Sequence, residues 1–290
     1  LGSAAMVASV GVTSSTLTFC ARQSSARQHL PEGARDPKVG STGSPIAFQS
    51  LRREGQNGMS SGFRLFGLAH MTILAAIPGA AATLARLGRG NPRRSRQIAA
   101  SLGRCLAVNE IIWYTWRFHA EGFRFPEGLP LELCDLTLWL TVAATQTRVP
   151  AIFEFAWLAG LGGSLMAVLT PALWAPLLSY PTIYFFLAHG GIIACLLFLV
   201  WSGLARPRPG CVWKTLVLLN AYAALVGAFN LVFHTNYMYL CRKPSTASLL
   251  DLFGPWPFYI AAGEVTAWIM FWLLWLPFRE QRACVITPGT

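Results

Sequence analysis

From Phe63 onward the chain alternates long apolar runs with short loops rich in Arg, Gly and Pro. Seven runs are long enough, at about 1.5 Å per helical residue, to cross a hydrocarbon core of ~30 Å. They cover approximately Phe63 to Leu87, Ile98 to Phe118, Leu131 to Thr147, Pro150 to Leu173, Pro181 to Gly203, Val212 to His234 and Pro255 to Pro277. Several open on proline, which suits the first helical turn because its missing N–H has no partner there anyway. The pattern predicts an all-α, polytopic bundle of about seven transmembrane helices.

The third run is the weakest, since LPLELCDLTLWLTVAATQT is short and holds two acids. Charge in the loops decides whether it spans. With seven spans, one side carries Arg86, Arg89, Arg93, Arg94, Arg96, Arg148, Arg206, Arg208, Lys214, Arg279 and Arg282, and the other carries Arg117, Arg124, Arg242 and Lys243. That asymmetry is what the positive-inside rule expects, whereas dropping the third span nearly equalises the two sides. The expected topology has the N-terminus outside and the C-terminus in the cytosol.

Residues 1–58 differ in kind: 13 Ser or Thr, six Lys or Arg, three acids and no long apolar stretch. They read as a disordered leader, either an organelle transit peptide (MVASVGVTSSTLTFCARQSSAR is Ser- and Arg-rich and free of acids) or an extension ahead of a natural start at Met59. The division is therefore leader 1–58, transmembrane domain 59–278 and a short cytosolic tail 279–290.

Composition agrees with a membrane protein. Only 12% of residues are charged and 54% are hydrophobic, with mean hydropathy +0.46; a soluble domain averages roughly 25% charged. The net charge of +11 sits mostly in loops, where membrane orientation accounts for it without nucleic acid. Seven cysteines without a CxxC pair or zinc-finger His spacing support neither a disulfide framework nor a structural metal, and no cofactor is expected.

Within the apolar runs lie Glu110, Glu132, Asp135, Glu154 and Glu264, with His70, His189 and His234. Each ionisable group at membrane depth costs about 2.5–3.5 kcal/mol, so the set calls for a shared polar interior. Cys134, Thr137, Thr141 and Thr145 recur at helical spacing and form a polar stripe expected to face a neighbouring helix. Cys134 heads that stripe beside Asp135. A thiol attacks as thiolate, and flanking carboxylates oppose that charge, so reactivity calls for a histidine or another donor. His189, in FFLAHGGII, is the natural candidate; taken alone it reads first as a core histidine bonded to a backbone carbonyl.

Gly227, Asn230 and His234 share a face of the sixth run, and Asn236, Tyr237, Tyr239, Arg242 and Lys243 follow at the membrane boundary. Aromatic and basic residues there are ordinary interface anchors. They are also able to hold a phosphate headgroup, Arg242 and Lys243 foremost, while Asn230, Asn236 and Tyr237 are candidates for oxyanion or polar support. The GLGGS run at Gly160 to Ser164 is mid-helix and lacks the strand and Lys of a phosphate loop, so it predicts tight helix packing.

LPLELCDL at Leu129 to Leu136, AVLTP at Ala167 to Pro171, the isolated His189, and TNYMYLCRKPSTASLLDLFGPWPFY at Thr235 to Tyr259 resemble the YwaF-like family of integral membrane proteins. The vertebrate transmembrane protein 164, a lipid acyltransferase, is a member. The likeness runs from about Met59 to Phe278. It implies a multi-helix membrane fold and transfer of an acyl chain onto a lysophospholipid through a cysteine acyl-enzyme with a histidine partner. Cys134 and His189 fall on those two positions; Glu132 stands where the family often has His. The partners implied are membrane phospholipids and lysophospholipids. Depending on the source, the membrane is the prokaryotic cytoplasmic membrane or a eukaryotic organelle or endoplasmic reticulum membrane.

The leading functional expectation is intramembrane acyl transfer through a Cys134 thioester. Two others stand beside it: a proton-coupled transporter using Glu110, Glu154, Glu264 and the histidines, and an inactive lipid-binding relative of the enzyme.

Overall fold

The computed structural model describes residues 63–171, 173, 175–244 and 249–279. The leader, Met59, Cys20, Arg282, Cys284 and nearly all of the tail lie outside these residues. Seven continuous helices follow one another among them: α1 (Leu68–Gly88), α2 (Pro92–Glu121), α3 (Leu133–Thr147), α4 (Pro150–Leu169), α5 (Tyr180–Trp201), α6 (Cys211–Phe233) and α7 (Phe258–Trp275). The described residues contain no strand. Five helices, α1, α4, α5, α6 and α7, are long and apolar enough to cross a membrane. Proline stands at the first position of α2 and α4 and the second of α5, where it disturbs no hydrogen bond.

Several boundaries differ from the hydropathy reading: α1 begins at Leu68 rather than Phe63 and α7 at Phe258 rather than Pro255, and two further shifts have a clear local cause. The second helix begins at Pro92 rather than near Ile98, capped by Asn91 Oδ1 accepting from the Arg94 N–H at 3.0 Å. Its first turns are polar and mostly exposed, so they left no apolar signal. The fourth helix stops at Leu169, since Pro171 has no N–H to continue it.

At the centre lies α4, whose apolar window is 67% buried, against 11% for α1 and α7 at the periphery. Mid-way it widens into a π turn, Ala156–Gly160, with all five residues buried. Two of the three GLGGS glycines, Gly160 and Gly162, bring neighbours close, the tight packing expected of the run, while Gly163 has open space beside it. A β-carbon on Gly160 would stand 3.1 Å from Thr137 Cβ and 3.6 Å from Ile192 Cγ2, and one on Gly162 would stand 3.2 Å from Met270 Cγ. Around α4 the helices leave Leu187, Leu225, Val232 and Leu273 exposed, the apolar exterior that a lipid environment covers.

Helix directions follow from contacts between named residues. Gly103 early in α2 abuts Thr145 late in α3, whereas Tyr114 late in α2 bonds Asp135 early in α3; these helices are antiparallel. Likewise Leu106 abuts Gly191 while Trp113 stacks on Tyr184 with ring centroids 4.1 Å apart, so α2 and α5 are antiparallel. Helices α3 and α5 therefore run in the same direction.

Most intramembrane polar groups have structural partners. His70 is fully buried, accepts from the Phe66 N–H at Nδ1 and donates from Nε2 to the Val168 carbonyl at 2.7 Å, pinning α1 to the end of α4. Glu154 is bound by Arg208 through its side chain at 2.6 and 3.1 Å and its backbone N–H at 3.1 Å. Those bonds raise the Arg208 pKa still further. Glu264 accepts from Asn220 at 3.0 Å. His234 caps α6 in left-handed geometry and is exposed, outside the buried face on which helical spacing would put it. The stripe threonines bond their own helix: Thr137 to Cys134 O, Thr141 to Thr137 O and Thr145 to Val142 O. A short hydroxyl reaches its own preceding turn, leaving the face free for close packing.

The Glu154 arrangement carries a stability prediction. Arg208→Met leaves a carboxylate only 4% exposed without its cation, which is far more destabilising than removing both partners. Thermal unfolding in detergent should show a drop of several degrees for Arg208→Met and recovery of most of it in the Glu154→Gln/Arg208→Met double variant. Equal unfolding temperatures for wild type and Arg208→Met would contradict this.

Candidate functional site

Cys134 occupies the second position of α3, after Glu132 as the N-cap. First-turn N–H groups have no intrahelical acceptor, so those of Leu133 and Cys134 point out of the helix end with its positive dipole. The cysteine shares a face with Thr137, Thr141 and Thr145, which are 2%, 0% and 0% exposed. Cys134 is nevertheless exposed. The packed face is thus uncovered at its level.

The segment leading into α3 is held from several sides. Tyr237 Oη donates to the Pro126 carbonyl at 2.7 Å and accepts from the Leu129 N–H at 3.0 Å. Tyr222 donates to the Leu131 carbonyl. Asp135 accepts from Tyr114 Oη and the Glu132 N–H, at 3.0 and 3.1 Å. Glu132 Oε2 accepts from the Met238 N–H at 2.9 Å.

The loop that supplies Met238 is itself strained. Met238 and Tyr239 adopt φ of 55° and 52°, left-handed values uncommon for side-chain-bearing residues. Bonds from Tyr259 Oη to the Tyr239 carbonyl and from Trp256 Nε1 to the Leu240 carbonyl hold it.

The candidates for oxyanion support are absorbed in that loop. Asn230 donates to the Tyr237 carbonyl and accepts from Thr235 Oγ1 and the Tyr237 N–H. Asn236 donates to the Arg242 carbonyl and accepts from the Cys241 and Arg242 N–H groups. Together with Tyr237 they build the support for α3. Lys243 stands 3.7 Å from Asp251 and 5.6 Å from the Tyr259 ring centroid. Arg242 has backbone bonds to Asn236, and its side chain is half-buried.

His189 is half-buried on α5, with its ring centroid 4.4 Å from that of Phe185. Its Nδ1 lies 2.9 Å from the Phe185 carbonyl. A carbonyl only accepts, so Nδ1 carries the proton and the neutral ring keeps its lone pair on Nε2. The carbonyl bond anticipated for this histidine is present, and it is also what prepares Nε2 to take a proton. Thr137 and Ile192 both meet Gly160, and they lie one turn beyond Cys134 and His189 on parallel helices. The two residues thus stand on neighbouring helices at a similar level; no hydrogen bond joins them.

Sequence reasoning missed the tyrosines. Tyr184 donates to Glu110 Oε2 at 2.7 Å and stacks on Trp113, while Tyr114 binds Asp135. A Tyr in the middle of an apolar run was the available signal, because a buried phenol must find a partner. It also missed an open cavity of about 430 Å³ beside α3's lead-in, lined by Tyr114, Arg117, Arg124, Leu129 and Pro130 among others.

Helices with an apolar exterior around a polar, carboxylate-bearing interior define an integral, multi-pass α-helical membrane protein. Within it, a cysteine at the head of α3 and a histidine on the neighbouring α5 stand at a similar level. The family model of the TMEM164 family matches residues 65–276, and the chain belongs to that family. No curated protein and no solved structure matches it significantly.

Proposed function

We propose that the protein is an intramembrane acyltransferase that moves a fatty acyl chain onto a lysophospholipid through a thioester on Cys134. The observation that carries this reading is the exposed thiol at the head of an otherwise buried face, on the N-terminal turn of α3. In the first step His189 Nε2 takes the thiol proton and the sulfur attacks the donor's ester carbonyl. The ester C–O bond breaks, and the departing lysolipid oxygen receives the proton from His189. In the second step a lysophospholipid hydroxyl gives its proton to His189 and its oxygen attacks the thioester carbonyl; the C–S bond breaks, and the departing Cys134 sulfur takes the proton back from His189, restoring the thiol. The first-turn N–H groups of Leu133 and Cys134, which have no acceptor among the described residues, suit the oxyanion of both intermediates. A covalent intermediate fits a site poor in water, where the acceptor competes well against hydrolysis. Hydrogen bonds of this kind often close only with substrate bound.

The same proposal takes all seven helices as spans, with the Arg-rich loops in the cytosol. Helix α2 has 30 residues, about 45 Å, and α3 has 15, about 22 Å, so the lead-in segment 129–132 and local bilayer thinning complete the third crossing. Arg242 and Lys243 remain the headgroup candidates on the opposite side, Lys243 with Asp251 beside it. A proton-coupled carrier is less well supported, because Glu154 is closed off by Arg208 and Glu264 by Asn220.

Labelling with an acyl-thiol-reactive lipid probe tests the proposal. His189→Gln, which cannot accept the proton, should slow labelling by about 10²–10⁴-fold while leaving expression and the unfolding temperature unchanged. Labelling at the wild-type rate would remove His189 from the mechanism.

A further inference from the structure

At the end of the bundle remote from Cys134, the α1–α2 turn, the end of α3 and the end of α5 enclose an open pocket of about 580 Å³, within the roughly 300–1,000 Å³ of small-molecule sites. Three arginines line it: Arg89 from the C-cap of α1, Arg96 from α2 and Arg148 from the C-cap of α3. They come from separate stretches of chain and converge on one concavity. No lining residue is acidic. None of the three guanidinium groups has a hydrogen bond or ion pair within the described residues, and Glu154, the described acid nearest along the chain to Arg148, is held by Arg208. Three cations gathered without a counter-ion repel one another, an arrangement an anion relieves.

We infer that this pocket binds a phosphate-bearing anion. Guanidinium is a planar, forked donor matched to phosphate oxygens, and three of them from different directions can satisfy a phosphate on several sides. Depth points the same way. Trp201, exposed at the end of α5, lines the pocket, and exposed indoles at helix ends sit at headgroup level. Scattered loop arginines account for membrane orientation, but orientation requires neither a cavity nor the absence of acids from its walls. The phosphate belongs either to a phospholipid of the Arg-rich leaflet or to a water-soluble phosphate compound.

The test uses the full chain purified in detergent, with two probes, phosphatidic acid followed by native mass spectrometry and glycerol phosphate followed by thermal shift. Phosphatidylcholine serves as the reference lipid. The pocket variant is Arg89→Gln/Arg96→Gln/Arg148→Asn, the last chosen because Arg148 has φ 57° and Asn tolerates that geometry. A control, Arg86→Gln/Arg93→Gln/Arg94→Gln, removes three charges from the same end outside the pocket. Single Arg96→Gln provides the comparison if the triple variant fails to fold.

Wild type and control should bind the phosphate probe at least about tenfold more tightly than the pocket variant, with single Arg96→Gln intermediate. Selective retention of phosphatidic acid identifies a lipid headgroup. Stabilisation by glycerol phosphate without lipid selectivity identifies a soluble compound. Equal binding by wild type and pocket variant, or equal weakening by pocket variant and control, overturns the proposal.

Discussion

Cys134→Ala is expected to abolish acyl transfer, with a loss of at least about a thousandfold, because the proposed covalent intermediate forms on its sulfur. Among the described cysteines, Cys195, Cys211 and Cys241 are buried; Cys105 is exposed like Cys134 but lies mid-way along α2, away from any helix end. In lipid mass spectrometry of cells with equal expression, one phospholipid class should change its acyl composition with wild type and not with Cys134→Ala. Cys134→Ser is the sharper comparison, since it preserves shape and polarity while weakening the nucleophile. Identical lipidomes for wild type and both variants would reduce Cys134 to a structural thiol. The carrier reading would then come forward.

The second large effect is on packing, at Gly103. A β-carbon there would collide with Thr145 Oγ1 and stand 2.8 Å from Gln146 Nε2 and 3.0 Å from Thr145 Cβ. Gly103→Leu must push α3 away from α2, at a cost of about 3 kcal/mol. The first turn of α3 carries Cys134, and Tyr114 on α2 binds Asp135 beside it. Separation of the two helices therefore reaches the site as well as the fold. Thermal unfolding should show the loss, and Thr145→Ala in the same chain should restore part of it by clearing the nearest atoms. Full stability of Gly103→Leu would mean that α2 and α3 do not pack at this point.

The helices were legible because each buries or presents to lipid a long apolar run, and Pro150 and Pro181 mark starts that the backbone respects. What escaped was polar or depended on distant residues. The first turns of α2, Pro92 to Gln97, face outward and show no apolar periodicity. The π turn at Ala156–Gly160 has the same composition as the helix around it. Cys134 and His189 could be singled out, one as the head of a polar stripe and the other as an intramembrane histidine able to serve that thiol. That they stand at a similar level required Gly160, which brings Thr137 and Ile192 together. Asn230, Asn236 and Tyr237 have the right chemistry for oxyanion donors, and only their partners reveal that those groups hold the 235–242 loop and, through Glu132 and Leu129, the start of α3. Hydrogen bonds between residues 106 to 111 positions apart, such as Met238 to Glu132 and Tyr237 to Pro126, leave no trace in local pattern.

The most direct test of the account is to trap the intermediate. Purified protein in nanodiscs, incubated with a phospholipid donor and no lysophospholipid acceptor, should carry an acyl mass on the peptide containing Cys134. That mass should be released by neutral hydroxylamine, as a thioester is, and discharged when lysophospholipid is added. Acyl transfer that proceeds with no adduct on Cys134, or an adduct on that cysteine that lysophospholipid fails to discharge, would contradict the thioester mechanism.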